Sequence, residues 1–256
     1  MYNKKMLTNF WEDLTTVEVK KINRDTILIF PFSSIEQHGE HLPLNTDKKI
    51  LRGILKKFSE NYKSNKYLIM PEIHFGSASE HSSFDGTISL DSLEFISHSL
   101  SIIEPICENK FKNIFLLNSH GGQISHIDII AKELKAQFDI QIVKGTYFLF
   151  DEFKNIIPAQ ELEFGYHGGE FETSLMMYLY PELVRKNKIK KNKLSPDCSS
   201  KNIISYEKKI KRAWLTKELS KNGIIGNPTN ASVIKGRKIV DKVIKCMNKI
   251  VNEMYN

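Results

Sequence analysis

Residues 26–32, TILIFPF, run straight into residues 33–47, SSIEQHGEHLPLNTD. The first segment is a short apolar run closed by Pro31 and Ser33, so it reads as a buried strand. The second is polar, and Gly39 and Pro43 force it into a shaped loop. Helical periodicity then starts at Asp47 and continues through Ile50, Leu51, Ile54, Leu55 and Phe58 to about residue 61. The same alternation recurs along the chain. Strands are expected at 67–70, stopped by Pro71, and at 113–117 and 140–148; helices are expected at 93–108, 125–138, 170–180 and 231–254. Apolar strands separated by amphipathic helices predict a mostly parallel sheet with helices on both faces, a three-layer α/β/α sandwich of the α/β class. No internal repeat or linker interrupts it, so one domain over residues 1–256 is expected. In such sheets ligands gather beyond the carboxyl ends of the strands.

The chain has 256 residues, enough for one large core. Its 41% hydrophobic and 26% charged residues are those of an ordinary globular protein. No stretch approaches the roughly 20 apolar residues of a membrane span, and the polar start lacks a signal core. Cys107, Cys198 and Cys246 are scattered and odd in number, which suits reduced thiols and a cytoplasmic setting. The formal charge of +7 raises the question of nucleic acid. Much of it lies in lysines at 186–193 and 208–211, within a sequence rich in Lys, Asn and Ile throughout. No RNA-binding aromatic motif or helix-turn-helix pattern accompanies it. A solvated surface is therefore expected, with no nucleic-acid or membrane partner.

The polar residues that follow the strands carry the chemistry. Glu36 and His38 are two apart, so extended backbone points both to one side. Asp47 begins the next helix, where Asp is also a common cap. Carboxylate with imidazole is a ligand set for Zn, Mn or Fe. Asn118-Ser119-His120-Gly121-Gly122-Gln123 follows the 113–117 strand, so His120 lands on the same sheet edge. That turn lacks the glycine spacing and the lysine of phosphate-binding loops. Tyr166-His167-Gly168-Gly169-Glu170-Phe171-Glu172 opens another helix. There Glu170 suits the helix dipole, with Met176 further along on the buried face. The polar stretch 77–90, SASEHSSFDGTISL, reads as a surface loop or as a lid or substrate wall.

These blocks together resemble the creatininase (creatinine amidohydrolase) family. SIEQHGEHLPLNTD resembles its signature, and SEHSSFDGTISL, NSHGGQ, HGGEFETS and the late Gly226-Asn227-Pro228 resemble further blocks in the same order. The resemblance implies an α/β/α fold with two divalent metal ions, Zn, Mn or Fe, and hydrolysis of amide-type C–N bonds in small molecules. It implies that Glu36, His38, Asp47 and His120 are metal ligands, with Asp47 bridging, and that His167 is catalytic. Glu172 is the expected fifth ligand or a proton shuttle. Ser79, Gly121 and Tyr166 match substrate-binding positions. A hydroxide bridging the ions would attack the amide carbon, and His167 would protonate the leaving nitrogen. A homo-oligomer, a hexamer in many members, is implied as well.

Three departures bear on the substrate. Gly122 stands where creatininase proper carries a Glu, and Ser119 and Gln123 replace a Gly and an Asn. Trp11 and Trp214 lie outside the blocks, so the tryptophans that hold a flat substrate are missing. The expected substrate is a cyclic amide, a formamide or a short peptide rather than creatinine. The alternatives are hydrolysis of a C–C or lactone bond in a sugar-derived cyclic ketone, and a non-catalytic metal- or ligand-binding protein on the same fold.

Overall fold

Strand β1 (Ile27–Phe32) is buried along its whole length, and the rest of the molecule is arranged around it. The computed structural model describes residues 8–165, 167–192, 204–206 and 210–255. The short helix α1 (Thr16–Val19) precedes β1. Then follow α2 (Thr46–Asn61), β2 (Tyr67–Ile69), α3 (Ser92–Glu108), β3 (Asn113–Asn118), α4 (Ile124–Gln137) and β4 (Gln141–Thr146). Helices α5 (Ala159–Phe164) and α6 (Glu170–Leu179), a small pair of strands β5 (Ile204–Ser205) and β6 (Ile210–Lys211), α7 (Thr216–Leu219) and the long α8 (Val233–Tyr255) complete the described chain.

The main sheet has the order β2-β1-β3-β4, and every pairing is parallel. Alternation along the strands divides the core. Ile27, Ile29, Phe115 and Leu117 face one apolar cluster with α2, α6 and α8. Leu28, Phe30, Phe32, Ile114 and Leu116 face another with α3 and α4. Three layers are thus built from strands that bury both faces, as the apolar runs require. A proline in a central strand is unusual because it cannot donate to the ladder. Pro31 is accommodated where β2 has already ended. Its carbonyl still accepts from Ile73 N–H at 2.9 Å, and Phe30 and Phe32 keep their register with β3.

Most element boundaries fall within a residue or two of those expected. The strand expected at 140–148 stops at Thr146, and residues 147–149 wind into a 3₁₀ turn. β4 is an edge strand whose residues before Thr146 are exposed or half-buried. The apolar run beyond it turns inward and buries Tyr147 completely. Neither α5 nor the β5–β6 pair was expected. Cys107 and Cys246 are free thiols, and Cys198 lies outside the described residues. Lys186, Lys188, Lys190 and Lys191 are exposed. Among the described residues no helix is long and apolar enough to cross a membrane.

Candidate active site

All the candidate ligands come from the carboxyl end of the sheet. The loop after β1 delivers Glu36 and His38, the first turn of α2 delivers Asp47, the turn after β3 delivers His120, and the first turn of α6 delivers Glu172. Asp47 is not the cap of α2. Asn45, immediately before the helix, occupies that position and makes no side-chain cap bond. Asp47 turns inward instead and accepts from Ser34 Oγ at 2.5 Å. α6 starts at a sharp corner. Gly168 adopts φ +63°, a conformation that costs little only without a Cβ, and its N–H donates to Glu172 Oε2 at 2.6 Å. Glu170 is more than a dipole partner, because it is buried and ion-paired with Lys235 of α8.

The buried polar atoms converge. His38 Nε2 lies 3.4 Å from Asp47 Oδ1, 3.8 Å from Glu172 Oε1 and 4.0 Å from Glu36 Oε1. His120 Nδ1 lies 3.0 Å from Glu36 Oε2 and 3.4 Å from Asp47 Oδ2. Two triplets among these residues could each hold a cation: Glu36, Asp47 and His120, and His38, His167 and Glu172. Asp47 faces a histidine of each triplet, one through each oxygen. The donor set also passes a chemical test. His38 Nδ1–H donates to the Glu36 backbone carbonyl at 3.1 Å, which leaves Nε2 a lone pair aimed at carboxylates. That Nε2 and both Glu36 oxygens are buried without a hydrogen-bond partner. Buried acceptors facing one another cost several kcal/mol per unpaired charge unless a cation joins them.

The electrostatics agree. Burial pushes the Glu36 carboxyl up to about 7. Burial alone would also raise Asp47, but the His120 and His38 imidazoles facing its two oxygens outweigh it and hold that carboxyl low. Burial opposes charge on His38 and His120 as well. Even so, Asp47 and Glu172 around His38, and Glu36 and Asp47 around His120, hold both rings well above the usual histidine range. The cluster therefore draws positive charge.

Two further histidines behave oppositely. His167 Nε2–H donates to the Gln37 carbonyl at 2.5 Å, so its Nδ1, 3.5 Å from Glu36 Oε1, is the basic nitrogen. Burial first, and His38 second, pull that ring down to about 4. His81 stacks on His167 with ring centroids 4.1 Å apart. A third triplet, Glu36, His81 and His167, also has donor atoms close enough for a cation. The hydrogen bonds of Gln37 argue against it. The Gln37 side-chain oxygen Oε1 accepts from Gly39 N–H at 3.0 Å, and the side-chain nitrogen Nε2 donates to Gly223 O at 2.9 Å. The same nitrogen, 2.9 Å from His81 Nδ1, must donate there too. Nδ1 is thus the acceptor, and His81 carries its proton on Nε2, 3.5 Å from Glu36 Oε1. Thr216 Oγ1 also contacts Nδ1 at 2.9 Å.

Sequence reasoning placed Glu36, His38, Asp47, His120, His167 and Glu172, and the structure brings all six together. It missed His81, Glu80, Gln37 and Tyr147. His81 and Glu80 sat in a stretch read as a lid, although two adjacent titratable residues in a glycine-poor turn were a usable signal. Tyr147 has a buried hydroxyl without a partner, with Glu172 and Asp47 near enough to raise its pKa after burial itself. Sequence reasoning also missed Glu161. Its carboxylate accepts from the N–H groups of Glu170 and Asn227 and ties the start of α6 to the Gly226-Asn227-Pro228 segment. Ser79 and Gly121 are exposed beside this cluster, and Tyr166 lies outside the described residues. Trp11 packs on Phe111 just before β3, at the amino ends of the strands.

Comparison with known proteins identifies the family. The family profile for creatininase, creatinine amidohydrolase, matches residues 12–251. Creatinine amidohydrolase of Pseudomonas putida is 30% identical over 181 residues, 64% of this chain and 68% of that protein. The mycofactocin precursor peptide peptidase of Mycobacterium ulcerans is 24% identical over 230 residues, 87% of this chain and 84% of its own. A crystal structure of creatininase superposes with a TM-score of 0.79 at 22% identity, covering 98% of this chain and 99% of the other. A manganese creatininase and a zinc–zinc creatininase variant share the fold, with TM-scores of 0.79 and 0.78, identities of 23% and 24%, and coverage of 97% and 98% of this chain and 99% of each of theirs. With the profile spanning nearly its whole length, the chain belongs to the creatininase family.

Proposed function

We propose that this protein is a metal-dependent hydrolase that cleaves a C–N amide bond of a small molecule, with two divalent ions held by Glu36, His38, Asp47, His120 and Glu172. The observation that carries this is the buried His38 Nε2 and the two Glu36 oxygens, which face one another without a hydrogen-bond donor. The family relationship supports the same reading, and manganese and zinc creatininases favour Mn or Zn as the ions. Such ions supply Lewis acidity and a water whose pKa is brought to about 7.

The protein's own residues supply the remainder. Asp47 presents one oxygen toward each histidine and so spans the two ion positions. His167 has its Nε2–H committed to Gln37 O, so Nδ1 is free to take a proton and return it to the leaving nitrogen. Burial holds its pKa low, so the ring is neutral at neutral pH with Nδ1 unprotonated. His81 Nε2 lies 3.5 Å from Glu36 Oε1 and packs beside it without a formed hydrogen bond. Ser79 and Gly121, exposed beside the cluster, would form part of the substrate wall. Trp11 is remote, and Trp214 packs with Tyr206, Leu219 and Ile225, so a tryptophan clamp for a flat ring is missing. A formamide, cyclic amide or short peptide suits this site better than creatinine. The protein acts in the cytoplasm as a homo-oligomer.

Metal analysis of the purified protein, with hydrolysis of an amide panel before and after chelation, tests this reading. Bound metal and chelator-sensitive turnover are expected. Bound metal with no turnover on any amide would favour a binding protein, and correctly folded Glu36→Gln and His120→Ala variants with full metal content and activity would refute the ligand assignment.

A further inference from the structure

We propose that Glu80 is the positioning residue for His120, and that Gly122 is glycine to make room for its carboxylate. The inference rests on the metal reading above. His120 presents its Nδ1 edge to Glu36 Oε2 and Asp47 Oδ2, at 3.0 and 3.4 Å. Its opposite edge, Nε2, faces Glu80 Oε1 at 3.2 Å, an ion-pair distance off the line of a formed hydrogen bond. Glu80 comes from a different segment, the 3₁₀ turn Ser79–His81, and its side chain is only 16% exposed. No lysine or arginine pairs with it among the described residues. Burial works against its charge, and His120 is the largest influence that restores it.

The space around Gly122 gives an independent observation. A Cβ there would overlap Glu80 Oε1 and lie 2.6 Å from both Glu80 Cδ and His120 Nε2. These atoms belong to the contact itself, so any side chain at 122 would displace the carboxylate from the imidazole. The φ of Gly122 is not in the left-handed region, so backbone conformation does not explain the glycine. The place of a side chain is taken by the end of another one.

The chemistry follows from the imidazole. A neutral ring has one N–H. When Nδ1 gives its lone pair to a cation, Nε2 must carry the proton, and an acceptor there fixes both the tautomer and the ring plane. A carboxylate in that position also makes the ring a stronger donor to the metal, and losing such a partner weakens metal binding by about 10–100-fold.

The experiment measures zinc affinity by competition with a chromophoric chelator. It uses the full-length protein and its Glu80→Gln, Glu80→Ala, Gly122→Ala and Glu80→Ala/Gly122→Ala variants, each checked for native circular dichroism. Glu80→Gln is close to isosteric and guards against misfolding. Both Glu80 variants are expected to bind zinc about 10–100-fold more weakly. Gly122→Ala should cost a similar factor alone and clearly less when Glu80 is already Ala, where only the close approach to His120 Nε2 remains. Long-range ¹H–¹⁵N spectra of the zinc-loaded protein should place the His120 proton on Nε2, with a shift that moves in Glu80→Gln. Wild-type affinity in both Glu80 variants, or an equal Gly122→Ala penalty in both backgrounds, would overturn the proposal alone. A wild-type protein that binds no zinc would overturn the metal reading and this one with it.

Discussion

Four buried histidines share one site, and they fall into two pairs with opposite environments. His38 and His120 present a nitrogen to carboxylates and are driven to hold positive charge. His81 and His167 have their N–H directions fixed by Gln37 and are kept neutral by burial and by the other pair. The difference lies in what each ring meets, since burial opposes charge on all four. Under the proposed function the first pair holds metal and the second moves or steadies a proton.

The comparison can be broken at its strongest point first. Glu36→Gln should abolish metal binding and lower hydrolysis by more than about 10⁴-fold, beyond the usual share of one acid–base group; elemental analysis and turnover on the best amide substrate check both. His167→Asn should lower kcat by about 10²–10⁴-fold with metal content unchanged. Loss of metal in that variant would move His167 into the ligand pair. His81→Asn should weaken metal binding by about 10–100-fold, because Glu36 loses the imidazole packed 3.5 Å from its Oε1. Thr216→Val removes one of two contacts to His81 Nδ1 and should change kcat by no more than about threefold, since Gln37 keeps the tautomer.

Much of this site was legible in the sequence. Glu36, His38 and His120 follow apolar runs that can only be buried strands, so the parallel topology alone puts them on one edge. Asp47 and Glu172 were harder, because an acidic residue in the first turn of a helix has a common structural use. Glu170 shows the limit of that reasoning: it looks like a dipole partner and is a buried ion pair with Lys235. His81 and Glu80 were hidden for a different reason. Their turn follows a strand only three residues long, and nothing in its composition says that it folds back over the turn after β3. Gly122 could be seen as a departure from the family pattern. The cause of the departure is a side chain more than forty positions away, which no local reading reaches.

The proposed ligands run from Glu36 to Glu172, on segments that meet only once the sheet has assembled and α6 has docked. Contacts of such sequence separation form slowly, because chain entropy must be spent before they give any return. During synthesis the nascent chain exposes Glu36, His38 and Asp47 long before Glu172 exists. Metal capture should therefore mark the last step of maturation, the arrival of α6, and not an early collapse around the ion.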